Sequence, residues 1–132
     1  MTHNSRRALW IATGFGTLWL LLALAAADFP PPRGFIWVVA ADVVLSLVVY
    51  WRARVYAGWA RQRRAHRVAR SALEGLAAGL VVALLFGLAG GGEPSVTTSG
   101  RDLAVWCAVV GALGALDGLI VYGLAAGATA SD

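Results

Sequence analysis

Hydrophobic positions along this chain come in four long runs, not in alternation with polar ones. Residues 8–27 carry no charge, residues 34–51 carry only Asp42, residues 76–92 carry none, and residues 103–128 carry only Asp117. A helix needs roughly 20 apolar residues to cross about 30 Å of hydrocarbon. Modest tilt absorbs a mismatch of a few residues. A membrane barrel would require strands alternating outward and inward residues, and that period is absent here. The pattern therefore predicts an all-α integral membrane protein, a single bundle of four transmembrane helices over residues 1–132. The spans are expected at about 8–28, 34–52, 72–92 and 102–127.

Composition agrees. Of 132 residues, 59% are hydrophobic and only 14% charged, with a mean hydropathy of +0.70. Soluble domains carry about 25% charged residues. Little sequence remains for a domain outside the membrane.

Charge sets the expected orientation. The chain has no lysine. Arg6 and Arg7 precede the first span, and Arg52, Arg54, Arg61, Arg63, Arg64, Arg67 and Arg70 lie between spans two and three. Only Arg33 and Arg101 fall on the opposite side. The positive-inside rule then places both termini and the basic segment 52–71 in the cytoplasm of a multi-pass cell-membrane protein. The formal charge of +4 and the pI near 10.2 describe one membrane face, so no nucleic-acid partner is expected. The start of the chain, "SRRALW" followed by an apolar run and "ALAAADF", resembles an export signal with a small-residue cleavage site. Its apolar stretch exceeds the usual 7–15 residues of a signal core, so it is expected to stay as span one.

The connections carry breakers. "DFPPPRG" between spans one and two holds three prolines, which cannot continue a helix, so these spans should form a tight antiparallel hairpin. "GGGEPSVTTSGRD" before span four reads as a loop. The middle segment holds no proline, and Trp51, Val55 and Trp59 recur every four residues. Span two is therefore expected to continue as a helix past the membrane before the chain turns back. Arg70 and Glu74 are spaced to pair across one turn, worth about 0.3–0.5 kcal/mol.

Three constellations merit weight. The first is a row of small residues in span three, Gly75, Gly79, Ala83, Gly87 and Gly91, repeating every four. Span four offers Gly111 with Ala115 and Gly114 with Gly118. Such rows let backbones approach closely, and in lipid helix association depends on that packing. Internal packing is the plainer use, and a homodimer or partner-subunit face the sharper one.

The second is Asp42, the deepest charge. A charge at a helix centre costs ~2.5–3.5 kcal/mol on insertion scales. Ser46 shares its face, and Thr13 and Thr17 give span one a polar stripe, so a polar seam between spans one and two is expected. It would serve as a proton or cation site, or as a structural hydrogen bond. Asp117 should sit about 10 Å nearer the cytoplasm than Asp42 at 1.5 Å per residue, too far for a shared-proton pair. Flanked by Gly114 and Gly118, it reads as a polar fastener within reach of Arg52.

The third is the set of seven arginines between spans two and three. Each is attracted to anionic cytoplasmic-leaflet lipid by about 1 kcal/mol near the surface. An acidic cytoplasmic partner is the next expectation.

Catalytic chemistry finds no foothold in the sequence. His3 and His66 stand apart, Cys107 is the single cysteine, and there is no nucleophile–base set, metal-ligand spacing or phosphate-cradling motif. No cofactor and no metal are expected. The sequence thus predicts a small non-catalytic accessory, assembly or interaction subunit that associates with itself or a larger membrane complex through its small-residue faces. The alternatives are an oligomeric transporter or channel subunit using Asp42 and Asp117, or a holin-like permeabilising protein.

Overall fold

The computed structural model of the chain describes residues 2–26, 35–58, 64–89 and 100–126, and for residues 87–89 the backbone alone. All the described residues except Thr2 and Gly58 are α-helical. The helices are α1 (His3–Ala26), α2 (Phe35–Ala57), α3 (Arg64–Ala89) and α4 (Gly100–Ala126). All four are long and apolar enough to cross a membrane. The proline-rich and glycine-rich connections, with Arg61, Arg63, Trp59 and Gly91, lie outside the described residues.

The helices reach further than the apolar runs. α1 starts at His3 because Thr2 organises its first turn. The Thr2 carbonyl accepts the amides of Ser5 at 3.0 Å and Arg6 at 3.2 Å, and the Thr2 and Ser5 hydroxyls are 2.8 Å apart. Those bonds satisfy groups that a helix start otherwise leaves orphaned. α2 continues to Ala57 and α3 begins at Arg64, so helix extends into the basic segment from both sides. Arg70 Nε donates to Glu74 Oε1 at 3.2 Å, the expected one-turn pair. α4 carries Asp102 in its first turn, where a carboxylate complements the positive helix end.

The chain divides into two compact units, Met1–Arg61 with Leu124–Asp132, and Gln62–Gly123. In the first, α1 packs against α2. α1 has 24 residues and rises about 36 Å. The link between Ala26 and Phe35 spans at most about 30 Å when extended, too short to regain the far end. The two helices therefore run antiparallel. Ser5, Ala8, Ala12 and Gly16 are the buried residues of α1 and recur every three or four positions, one stripe of small side chains. Ala53 and Tyr56 are buried on α2.

In the second unit, α3 and α4 are antiparallel, with Ser71 beside Gly118, Gly75 beside Gly114, and Gly79 beside Gly111. Among the described residues the buried positions are mostly small, Tyr56 and Val121 aside, and many large aliphatic ones point out. Leu21 is 59% exposed, Leu47 64% and Leu85 62%. A water-soluble bundle does the reverse.

Candidate functional site

The polar seam of the first unit is built around an absence of side chain. A Cβ placed on Gly16 would overlap the Ser46 hydroxyl and lie 3.4 Å from Asp42 Oδ2. Gly16 is thus the notch of α1 that receives Asp42 and Ser46 of α2. Both are half-buried. They are four apart on one face, so a single glycine accommodates both. Among the described residues, neither the Asp42 carboxylate nor the Ser46 hydroxyl has a hydrogen-bond partner.

Thr13 and Thr17 do not belong to this seam. Both are exposed, while Ala12 and Gly16 are buried. Each threonine follows its buried neighbour by one residue, a rotation of about 100° at 3.6 residues per turn. The sequence expectation of a seam using both threonines is corrected to one formed by Gly16, Asp42 and Ser46. Sequence reasoning misses Gly16, although Ala8, Ala12 and Gly16 form a small-residue row at the same four-residue spacing as in α3.

The second unit uses its small residues at close quarters. A Cβ on Gly75 would overlap the Gly114 carbonyl oxygen, and one on Gly114 the Gly75 carbonyl oxygen. One on Gly118 would overlap the Ser71 carbonyl oxygen and lie 3.1 Å from the Cα of Gly75. One on Gly79 would lie 3.1 Å from the Cα of Gly111 and 3.2 Å from that of Gly114. These are backbone-to-backbone contacts, which only glycine permits. Gly111 differs, since a Cβ there meets side-chain tips of Leu76 and Leu80, each at 3.1 Å.

The row continues beyond these contacts at both ends. Ser71, four before Gly75, is fully buried and donates its hydroxyl to the Val68 carbonyl at 2.9 Å, which satisfies it inside its own helix. At the other end Ala83 is fully buried, and Trp106 Nε1 donates to its carbonyl at 2.9 Å. Sequence reasoning misses both the place of Ser71 and the Trp106 bond. For Ser71 the four-residue spacing is the available signal; for the bond there is none. Ala115 is half-buried beside this seam. Gly87 continues α3 at a position described by backbone only, and Gly91 lies outside the described residues.

The arginines are not equivalent. The Arg52 guanidinium lies over Trp51 at 5.2 Å and over Tyr56 at 5.0 Å, and Arg54 lies over Tyr50 at 5.8 Å. Arg64 is exposed, and the buried Nε of Arg67 has no hydrogen-bond partner among the described residues. Arg70 is taken by Glu74. Asp117 is half-buried and engaged within the chain. Cys107 is a free, half-buried thiol, and no three His, Cys, Asp or Glu residues group together among the described residues. No family model, no curated protein and no solved structure matches the chain.

Proposed function

We propose that the chain is a multi-pass membrane protein that works as a non-catalytic accessory or assembly subunit, with its helices inserted and both termini on the arginine-rich side. The supporting observation is the division of surface. Backbone contact through Gly75, Gly79, Gly114 and Gly118 occurs inside the α3–α4 pair, and Asp42 and Ser46 face α1. The large side chains left pointing outward on α2 between Phe35 and Trp51 are Ile36, Trp37, Val43, Val44, Leu47, Val48 and Trp51. Such a surface suits lateral association within a bilayer. It also changes how association would work: the small-residue rows build the subunit, and its outer aliphatic faces meet the partner or a second copy. The test is affinity capture of the tagged full chain from its native membrane in mild detergent. A stoichiometric partner or a defined homo-oligomer is expected. Recovery only as a lone monomer would count decisively against it.

A second reading is favoured by Asp42. A mid-helix carboxylate beside a notch, with no partner among the described residues, is a candidate proton or cation site in a transporter or channel subunit. Proteoliposome flux of protons or monovalent cations, wild type against Asp42→Asn and Asp117→Asn, decides it. Flux abolished in Asp42→Asn supports transport, and no flux in the wild type removes it.

A further inference from the structure

Gly16, Asp42 and Ser46 bring one acid to a helix seam without a counter-ion. Asp42 Oδ2 and the Ser46 hydroxyl both reach the space left by the missing Gly16 side chain. They lie one turn apart on the same face of α2, so they are also within reach of each other. Both are half-buried, and neither has a hydrogen-bond partner among the described residues.

The charges around them are remote. α1 has no acidic residue, and its titratable groups are His3, Arg6 and Arg7, nine or more residues from Gly16. On α2 the nearest such groups are Tyr50, Arg52 and Arg54, eight or more residues from Asp42. Those separations are about 12 Å or more along a helix axis. The Arg52 and Arg54 guanidinium groups lie over Tyr56 and Tyr50. Residues 124–126 of α4, which belong to the same unit, carry no titratable group. Among the described residues of this unit, no fixed cation therefore comes to the carboxylate. A carboxylate taken from water without a partner is costly, and it draws a cation or a proton from outside.

The number of ligands tells these two apart. Hard metal cations such as calcium and magnesium take about six oxygen ligands or more. The notch supplies one carboxylate and one hydroxyl. Gly16 adds no side chain, Thr13 and Thr17 are exposed on adjoining faces, and no three His, Cys, Asp or Glu residues group together among the described residues. A metal ion would have to bring most of its ligands as water into an apolar span. A proton needs only the carboxylate. The hydroxyl then serves both states, because it accepts from a protonated acid and donates to an ionised one. Glycine at this level leaves room for both groups, where a larger side chain would displace one of them.

We propose that the ligand of this site is a proton and not a metal cation. Asp42 binds it, and Ser46 is the hydrogen-bond partner of the carboxyl in both states. The inference rests on the second reading above, in which Asp42 is an ion site, and narrows that reading to proton coupling.

The test uses full-length protein in phosphatidylcholine vesicles recovered by flotation, and the apolar reagent dicyclohexylcarbodiimide. The O–H of a protonated carboxyl adds across one C=N bond of the reagent. The O-acylisourea so formed rearranges to an N-acylurea, and the peptide gains one whole reagent. Peptide mass spectrometry reads the labelling rate of Asp42 across a pH series. Labelling is expected to fall about tenfold per pH unit on its alkaline limb, as a single proton site requires. Exchanging choline for sodium, potassium or calcium at constant pH and ionic strength should leave the rate unchanged. Ser46→Ala should move the limb to higher pH, because a hydroxyl bonds a carboxylate more strongly than an acid. Thr17→Ala, on the adjoining face, should leave it in place. Asp42→Asn should float and carry no adduct at this position. Protection by a metal cation would overturn the proton in favour of a cation site and leave the transport reading intact. Labelling that is absent, or independent of pH, would overturn the site altogether. Coincident limbs in wild type and Ser46→Ala would overturn the part given to Ser46. Labelling that depends on pH without flux in the same vesicles supports the proton site and removes only its use in transport. Wild type that does not float overturns the membrane reading and this proposal with it.

Discussion

Gly75 and Gly114 stand back to back, and the carbonyl oxygen of each occupies the place where the other's side chain would begin. The contact is reciprocal, so neither helix can relieve it by a side-chain rotation. Its consequence is a graded glycine series. Gly75→Ala or Gly114→Ala should destabilise the α3–α4 pair by roughly 1–3 kcal/mol, the usual range for overpacking a tight interior. Gly111→Ala should cost under about 1 kcal/mol, because the tips of Leu76 and Leu80 can shift. Gly14→Ala, with open space around it, should be neutral or stabilise by up to about 1 kcal/mol through helix propensity. Reversible unfolding in mixed micelles reads all four. Equal effects at Gly14 and Gly75 would contradict the contact.

Gly16 makes a sharper case, because its obstacle is a single atom. Gly16→Ala alone should destabilise the α1–α2 hairpin by about 1–2 kcal/mol. Combined with Ser46→Ala, the collision disappears. The nearest remaining neighbours, Asp42 Oδ2 at 3.4 Å and Ser46 Cβ at 3.5 Å, are at ordinary contact distance. A double-mutant cycle should therefore show favourable coupling of about 1 kcal/mol. Additive effects would mean the two residues do not meet.

The indole of Trp106 ties α4 to the Ala83 carbonyl at 2.9 Å. Trp106→Phe keeps an aromatic ring and removes the donor. Loss of about 0.5–1.5 kcal/mol is expected, the net worth of one hydrogen bond. The same unfolding measurement checks it, and a variant as stable as wild type would show the bond to be incidental.

Asp42 should be a liability to insertion. Asp42→Leu removes a mid-helix carboxylate, so glycosylation-mapped insertion of the isolated α2 segment should improve by ~2.5–3.5 kcal/mol. The Gly16 notch would then face a leucine, and the full chain should gain less than the segment does. A full gain in both would mean that the notch does not constrain position 42.

Much of this protein is legible in its amino-acid sequence. Hydropathy is a property of consecutive residues, so the four apolar runs announce four long helices. The four-residue spacing of Arg70 and Glu74 announces their pair, because neighbours within one helix need only the helical period. The small residues at Gly75, Gly79, Gly114 and Gly118 likewise announce close-packed faces.

What sequence could not determine is rotation and depth between helices. A helical period fixes which residues share a face. It does not say which face turns to a neighbour. Thr13, Thr17 and Gly16 lie on adjoining faces of α1, and only docking against α2 shows that glycine, not threonine, receives Asp42 and Ser46. In the same way the glycine row admits an internal or an external partner. The approach of α3 and α4 decides it for Gly75 and Gly79, because two backbones can share that space only when both helices contribute glycine at the same level.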